Sequence, residues 1–169
     1  MNRLSMLCLI CRMVITMTII ISFAVKDAGA EGDTVIGAVE NVILMPWKIS
    51  LPARIDTGAT TTSLDAREMS IRDDAVEFRL PESYGGRQMQ LPVKKWKQVR
   101  SSGAEQRRPV VELDVCIGDR LIRIEANLTD RSRVQYPLLI GRDVLEKGFL
   151  VDVRKKHTLP PCCRELTGP

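Results

Sequence analysis

Residues 53–64 read ARIDTGATTTSL: an apolar run ends in one carboxylate, Asp56, and Thr57-Gly58-Ala59 and a row of hydroxyl residues follow. An acidic side chain directly after an apolar strand end is costly unless its charge is paired, shared or hydrogen-bonded. Thr57 supplies a hydroxyl for local hydrogen bonding, and Gly58 permits the tight turn that brings backbone N–H groups towards the carboxylate. An ordinary turn between two strands would meet the same needs, so the stretch acquires meaning only from the sequence around it. It occurs once in the chain.

Outward from it, the pattern is mostly of period two, broken by Gly, Pro and short polar clusters, which predicts β-strands. TVIGAVENVILM (34–45), KISLPARI (48–55), AVEFRL (75–80), MQLPVKKWKQVR (89–100), PVVELDVCIG (109–118), RLIRIEANLT (120–129) and FLVDV (149–153) read as strands. Gly118-Asp119 between two alternating runs predicts a hairpin. Only GRDVLEK (141–147) reads as a helix, of about two turns. The expected fold is all-β, a small barrel or sandwich with one short C-terminal helix.

The first thirty residues read as an export signal. Arg3 and Arg12 give a positive start, Val14 to Val25 is uncharged and apolar, and Ala28-Gly29-Ala30 fits a small-x-small cleavage site. The apolar run is about a dozen residues, short of the roughly 20 a spanning helix needs. The expectation is cleavage after Ala30 and a periplasmic or secreted protein; the alternative is an inner-membrane anchor made by the uncleaved segment. Removing residues 1–30 leaves 139 residues with 22 basic and 20 acidic side chains, a charge of about +2, which argues against a dedicated nucleic-acid binder. That length suits one domain, 31–155, followed by a cysteine-containing tail, 156–169, read as flexible. Few aromatic residues remain, so the core must rest on Val, Ile and Leu. Export also predicts an oxidising compartment. Cys116 shares the polar face of its strand with Glu112 and Asp114. It can pair with Cys162 or Cys163 of the tail, or the three can stay unpaired or pair between molecules.

The chemistry is narrowed by what is missing. A lone His157 beside the tail leaves no HExxH pair and no His/Cys cluster for zinc; a GxSxG elbow and a Gly-rich phosphate loop are also lacking. No metal and no cofactor are expected. Asn127-Leu128-Thr129 matches a glycosylation sequon. Among the carboxylates Asp56 has the one distinctive setting, and a second segment gives it a companion. YPLLIGRDVLEKGFLVDV (136–153) runs Leu138-Leu139-Ile140 into Gly141, then Arg142-Asp143 and a short apolar helix.

An apolar strand into Asp-Thr-Gly-Ala and, 85 residues later, an apolar triplet into Gly-Arg-Asp and a helix together resemble the retropepsin-like aspartic proteases. The blocks LPARIDTGATTTSLDA (51–66), VRSSGAEQRRPVVEL (99–113), LTDRSRVQYPLLIGRDVL (128–145) and FLVDV (149–153) narrow the resemblance. They are similar to the bacterial retropepsin-like family long called ATP-dependent zinc proteases, some of whose members are linked to ATP-grasp glutamate ligases. The resemblance spans roughly residues 35–153; neither a zinc site nor a nucleotide loop accompanies it, so the aspartic side of that family is followed.

The resemblance implies a small closed barrel of the acid-protease type. It implies Asp56 as the catalytic residue, Thr57 bonding across a dimer beneath a dyad, and Gly58 and Ala59 lining the substrate cleft. Gly141 would thread beside the catalytic loop, and Arg142 would brace it through its guanidinium fork. Aspartic proteolysis needs two carboxylates sharing one proton, one as base on a water and one as acid on the peptide carbonyl. A chain with a single Asp-Thr-Gly can form that dyad only by two-fold pairing with its copy, so the active form is expected to be a homodimer. Viral members carry acidic residues just after Gly-Ala, and the first receives the arginine. Thr60, Thr61 and Thr62 stand there in this chain, so Arg142 needs another partner: Glu105, Asp130 or Asp143.

A flap is implied as well, from SYGGRQ (83–88) or RSSGAEQRR (100–108). The second would offer Ser101, Ser102, Glu105, Arg107 and Arg108 to a substrate, or serve as a solvated loop. Arg131 and Tyr136 either face the site or tie the last loop to the barrel. The implied function is metal-independent hydrolysis of peptide bonds in a peptide or protein substrate, with glutamyl-modified peptides as a variant. The alternative is a retropepsin-fold domain that binds peptides in the periplasm without cleaving them. Neither reading involves nucleic acid, and a membrane enters only if the N-terminal segment is retained.

Overall fold

In the computed structural model the described residues are 33–101 and 104–160; the expected signal and Cys162 and Cys163 lie outside them. The strands are β1 (Thr34–Gly37), β2 (Val39–Met45), β3 (Ile49–Ile55), β4 (Ser63–Asp65), β5 (Arg67–Arg72), β6 (Ala75–Arg79), β7 (Gln88–Pro92), β8 (Lys95–Ser101), β9 (Ala104–Ile117), β10 (Arg120–Thr129), β11 (Leu138–Ile140) and β12 (Phe149–Asp152). The short helix α1 (Arg142–Leu145) sits between the last two.

Six strands close on themselves in the order β10-β4-β11-β3-β2-β9 and back to β10. The β4–β10 and β3–β11 pairs are parallel and the rest antiparallel. Closure leaves the ring without a free edge, and the expected closed barrel is what the chain forms. Beyond the ring, β9 continues with β8 as a two-stranded arm, β1 pairs with β12, and β5-β6-β7 form a separate sheet. The core is aliphatic, as the scarcity of aromatics requires. Val42, Leu44, Leu51, Leu64, Val115, Ile124, Leu128, Leu138 and Ile140 are buried in it, with Val76 and Phe78 of the separate sheet packed into the same cluster. Each such side chain contributes about 1.5–3 kcal/mol relative to leaving it in water.

Several expected boundaries shift, each for a local reason. TVIGAVENVILM breaks at Ala38 because the C-terminal segment crosses there: a Cβ at Gly37 would lie 2.6 Å from Lys155 O. Ala38 N–H donates to Lys155 O at 2.7 Å, and Ala38 O accepts Ile55 N–H at 3.0 Å. MQLPVKKWKQVR divides into β7 and β8, which belong to different sheets. The helix is a single turn, not two, and Gly148 at φ +94 closes the turn that follows it. The Gly118-Asp119 hairpin forms as expected, with Ile117 paired to Arg120 and Gly118 at φ +62.

Cys116 departs from its parity. It is buried, not solvent-facing, and it is disulfide-bonded. Residues 155–159 cover that side of the barrel. His157 N–H donates to Val39 O at 2.7 Å, and Leu159 packs so closely on Gly118 that a Cβ there would lie 2.9 Å from Leu159 Cδ1. Buried Glu40 fastens the segment: it accepts Gly37 N–H (2.6 Å), Thr158 N–H (3.0 Å) and hydroxyl (2.5 Å), and Leu159 N–H (3.3 Å). No helix among the described residues is long and apolar enough to cross a membrane.

Candidate active site

Strand β3 alternates with Leu51, Ala53 and Ile55 in the core, so the next side chain, Asp56, turns to the opposite face at the barrel mouth. Asp56 N–H donates to Ile140 O of β11 at 3.0 Å. Its Oδ1 accepts Gly58 N–H (2.9 Å) and Ala59 N–H (3.2 Å). The turn wraps its own carboxylate, and a Cβ at Gly58 would crowd Asp56 Oδ1 at 3.2 Å. Among the described residues none donates to Oδ2. Asp56 lines a cavity of about 320 Å³ with Arg54, Arg131, Tyr136 and Leu139.

The second segment threads behind this turn. Gly141 lies against Thr61, where a Cβ would meet the carbonyl carbon at 2.6 Å. Arg142 N–H donates to Ala59 O at 2.9 Å. Its guanidinium donates to Thr57 O (3.0 Å), Gly58 O (3.3 Å) and Thr60 Oγ1 (3.2 Å). None of the three expected acids receives it; the carbonyls and a hydroxyl of the turn itself do. Asp143 points elsewhere, accepting Thr62 N–H at 3.1 Å and Thr62 Oγ1 at 2.9 Å, while Thr62 Oγ1 accepts Gly141 N–H at 3.1 Å. The threonines thus replace a carboxylate on the turn with hydroxyls, and the negative charge comes from α1.

Of the two flap segments, SYGGRQ is a 3-10 turn joining β6 to β7, and RSSGAEQRR is the end of the β8–β9 arm. The arm faces the Asp56 turn: Thr61, Lys97, Val99, Arg108, Asn127 and Arg131 line a cavity of about 380 Å³. Lys97 Nζ donates to Thr61 Oγ1 at 3.0 Å. Arg108 Nη1 donates to Asn127 Oδ1 (3.3 Å), and Asn127 Nδ2 donates to Thr62 O (2.5 Å). Asn127 is buried, so the sequon presents no accessible amide. Arg107 lies on the other face of the arm, its guanidinium 4.5 Å from the Trp96 ring centroid, and Glu105 is exposed on that face. Ser101 ends β8 and Ser102 lies outside the described residues.

Arg131 is held into the site. Its Nε donates to Tyr136 O (3.0 Å), its Nη1 to Ser63 Oγ (2.8 Å) and its N–H to buried Asp65 Oδ1 (2.8 Å). Arg67 holds the other side of Asp65 through a two-pronged pair at 2.7 and 2.8 Å. Burial, with Arg108 and Arg54 nearby, draws the Arg131 guanidinium below the usual arginine range against the pull of Asp65 and Asp56. Burial lowers Arg108 likewise; both stay protonated. Arg54, Lys97, Arg100, Arg108 and Arg131 line the two cavities beside the turn, and Asp56 is the one carboxylate in their linings. Among the described residues no three His, Cys, Asp or Glu side chains come together to hold a metal ion. Thr62, Ser63, Asp65, Lys97 and Asn127 belong to this site without any motif; only the unusual row of hydroxyls at 60–63 marked their neighbourhood.

Residues 35–161 match the family described as the RimB-like retropepsin-like aspartic endopeptidases. A probable alpha-L-glutamate ligase of Parasynechococcus marenigrum (strain WH8102) is 31% identical over 119 residues, 65% of this chain and 26% of the ligase. Another, from Shewanella pealeana (strain ATCC 700345 / ANG-SQ1), is 29% identical over 121 residues, again 65% of this chain and 26% of the ligase. The chain therefore spans 26% of the length of these relatives. A crystal structure of a protein of unknown function from Legionella pneumophila superposes with TM-score 0.64 and 30% identity, covering 74% of this chain and 97% of that one. With a closed six-stranded barrel and an Asp-Thr-Gly-Ala turn braced from Gly141-Arg142, the chain belongs to the RimB-like family of retropepsin-like aspartic endopeptidases.

Proposed function

We propose that the chain is an exported aspartic endopeptidase that cleaves acidic, glutamate-rich peptides through a dyad of Asp56 and the Asp56 of a second copy. The observation that carries this is Asp56 itself: one oxygen is fixed by two backbone N–H groups, and the turn that supplies them is braced from behind by Arg142. In the dyad one carboxylate takes a proton from water as its oxygen attacks the peptide carbonyl carbon. The partner carboxyl gives its proton to the carbonyl oxygen, forming a tetrahedral diol. Collapse breaks the C–N bond as the nitrogen receives a proton, leaving a carboxylic acid and an amine.

The substrate class is supported by the cations around Asp56 and by the relatives, whose names assign them glutamate ligation. Export is supported by the disulfide at Cys116. The test compares wild type with Asp56→Ala on a peptide library containing glutamyl runs, at acidic and neutral pH, with and without a chelator and a pepstatin-type inhibitor. Cleavage that disappears in Asp56→Ala and survives the chelator is expected. Equal cleavage by the variant, or abolition by chelator alone, overturns the mechanism; stoichiometric peptide binding without cleavage would make the domain a binding module.

A further inference from the structure

The row Thr60-Thr61-Thr62 gives each hydroxyl a different partner: Arg142 for Thr60, Lys97 for Thr61, and Gly141 with Asp143 for Thr62. The middle contact is the one that reaches the arm. Lys97 of β8 and Arg108 of β9 are direct cross-strand partners, so both side chains rise from one face, and like charges in that position repel. Among the described residues neither has a carboxylate partner. Both reach the catalytic loop: Lys97 donates to Thr61 Oγ1, and Arg108, which also donates to Gln106 Oε1 at 2.9 and 3.2 Å, reaches Thr62 O through Asn127. A face that holds two unpaired cations together against their repulsion is stabilised by those acceptors, and a charged donor makes the stronger hydrogen bond.

We propose that Lys97 and Thr61 form a positioning pair, whose hydrogen bond holds the β8–β9 arm at a fixed height over the Asp56 loop and so sets where a peptide backbone lies against the carboxylate. The Arg108–Asn127 link fastens the other strand of the same arm to the adjacent residue, so the arm is held at two neighbouring points. Misplacement of a reacting carbonyl lowers turnover more than binding. This role rests on the peptidase reading.

The test is a double-mutant cycle with a peptide that wild type cleaves. Lys97→Met and Thr61→Val should each lower kcat about tenfold with KM changed less than about twofold, and the double variant should be no worse than either alone. Lys97→Arg should restore most of the rate. Losses that multiply in the double variant, or a Lys97→Met effect confined to KM, overturn the proposal, because Lys97 would then act on substrate without Thr61. Amide hydrogen exchange gives a readout that needs no catalysis: both single variants should speed exchange across residues 95–101 by a similar factor at unchanged Tm. Unchanged exchange there overturns the tie even in an active enzyme. Faster exchange in a protein inert towards every peptide would uphold the tie and overturn the peptidase reading.

Discussion

At the scale of single residues, the site separates into groups that a sequence can announce and groups that only folding brings together. Asp56 and Arg142 stand in motifs because each needs particular neighbours in sequence: small residues to wrap a carboxylate, and a glycine to let the arginine's backbone pass behind Thr61. Asn127 gives no such signal, and the pattern around it suggests a surface sequon, yet its amide is buried between Arg108 and Thr62. Arg131 is legible only as two readings, and both have a counterpart: its hydrogen bonds to Tyr136 and Ser63 tie the last loop to the barrel, and it borders the Asp56 cavity. Held by neutral acceptors and bordering the Asp56 cavity, its guanidinium can still receive a carboxylate. Arg131→Gln is therefore expected to lower kcat/KM for a glutamyl peptide by about tenfold or more, one charge-assisted hydrogen bond being worth roughly 1.5–3 kcal/mol. Cleavage of the matching glutaminyl peptide should change little. Steady-state kinetics on the two peptides decides it, and an equal loss on both would assign Arg131 to loop support alone.

At the scale of elements, most alternating segments were readable, the four-residue β12 among them, while β4, β5 and β11 were not. β4 and β11 have three residues each, too few for a period, and they are the strands that join the two halves of the site in the parallel pairs β4–β10 and β3–β11. The segment at 155–159 was unreadable for another reason: nothing local to it specifies order, since its fastening, Glu40, lies 118 residues away in sequence. Burial by itself would raise the Glu40 pKa, but hydrogen bonds from the Thr158 hydroxyl and from the Gly37, Thr158 and Leu159 N–H groups reverse this, leaving it below its ordinary 4.5. A folded value below the unfolded one means the clamp is fully present above about pH 4.5 and is lost as pH falls through the folded value. Glu40→Gln should thus lower unfolding free energy at neutral pH by about 1.5–3 kcal/mol. Urea titrations should show wild type and variant converging as the pH is taken from about 5 towards 3. A gap that stays constant over that range would mean the charge is not what holds the segment. Ala38 links this segment to Ile55, the residue before Asp56, so the clamp also backs the strand that leads into Asp56.

For the whole molecule, the alternating strands left a small barrel and a sandwich both open, and it was the resemblance to retropepsin-like proteases that implied the closed barrel the chain forms; the arrangement of copies is argued from chemistry instead. One chain presents one Asp-Thr-Gly turn, and the described residues lining the Asp56 cavity include no second carboxylate. In the proposed aspartic-peptidase reaction the acid and base would then come from two chains. Mixing tests this directly. Asp56→Asn keeps the shape of the turn and cannot act as base, so a pair holding one such chain should be inert. When equal amounts of wild type and Asp56→Asn are allowed to exchange, about one quarter of randomly assorted dimers contain two wild-type chains. Activity should fall to about one quarter of that of wild type at the same total concentration, against about one half if each chain works alone. Native mass spectrometry with one chain tagged establishes that the mixed pairs have formed. A residual activity near one half with mixed pairs present would exclude the shared dyad and require a second acid from within the chain. Dilution should also reduce specific activity in wild type once the concentration falls below the dissociation constant of the pair, and a rate that stays proportional to concentration through that range would likewise exclude the shared dyad, without any variant.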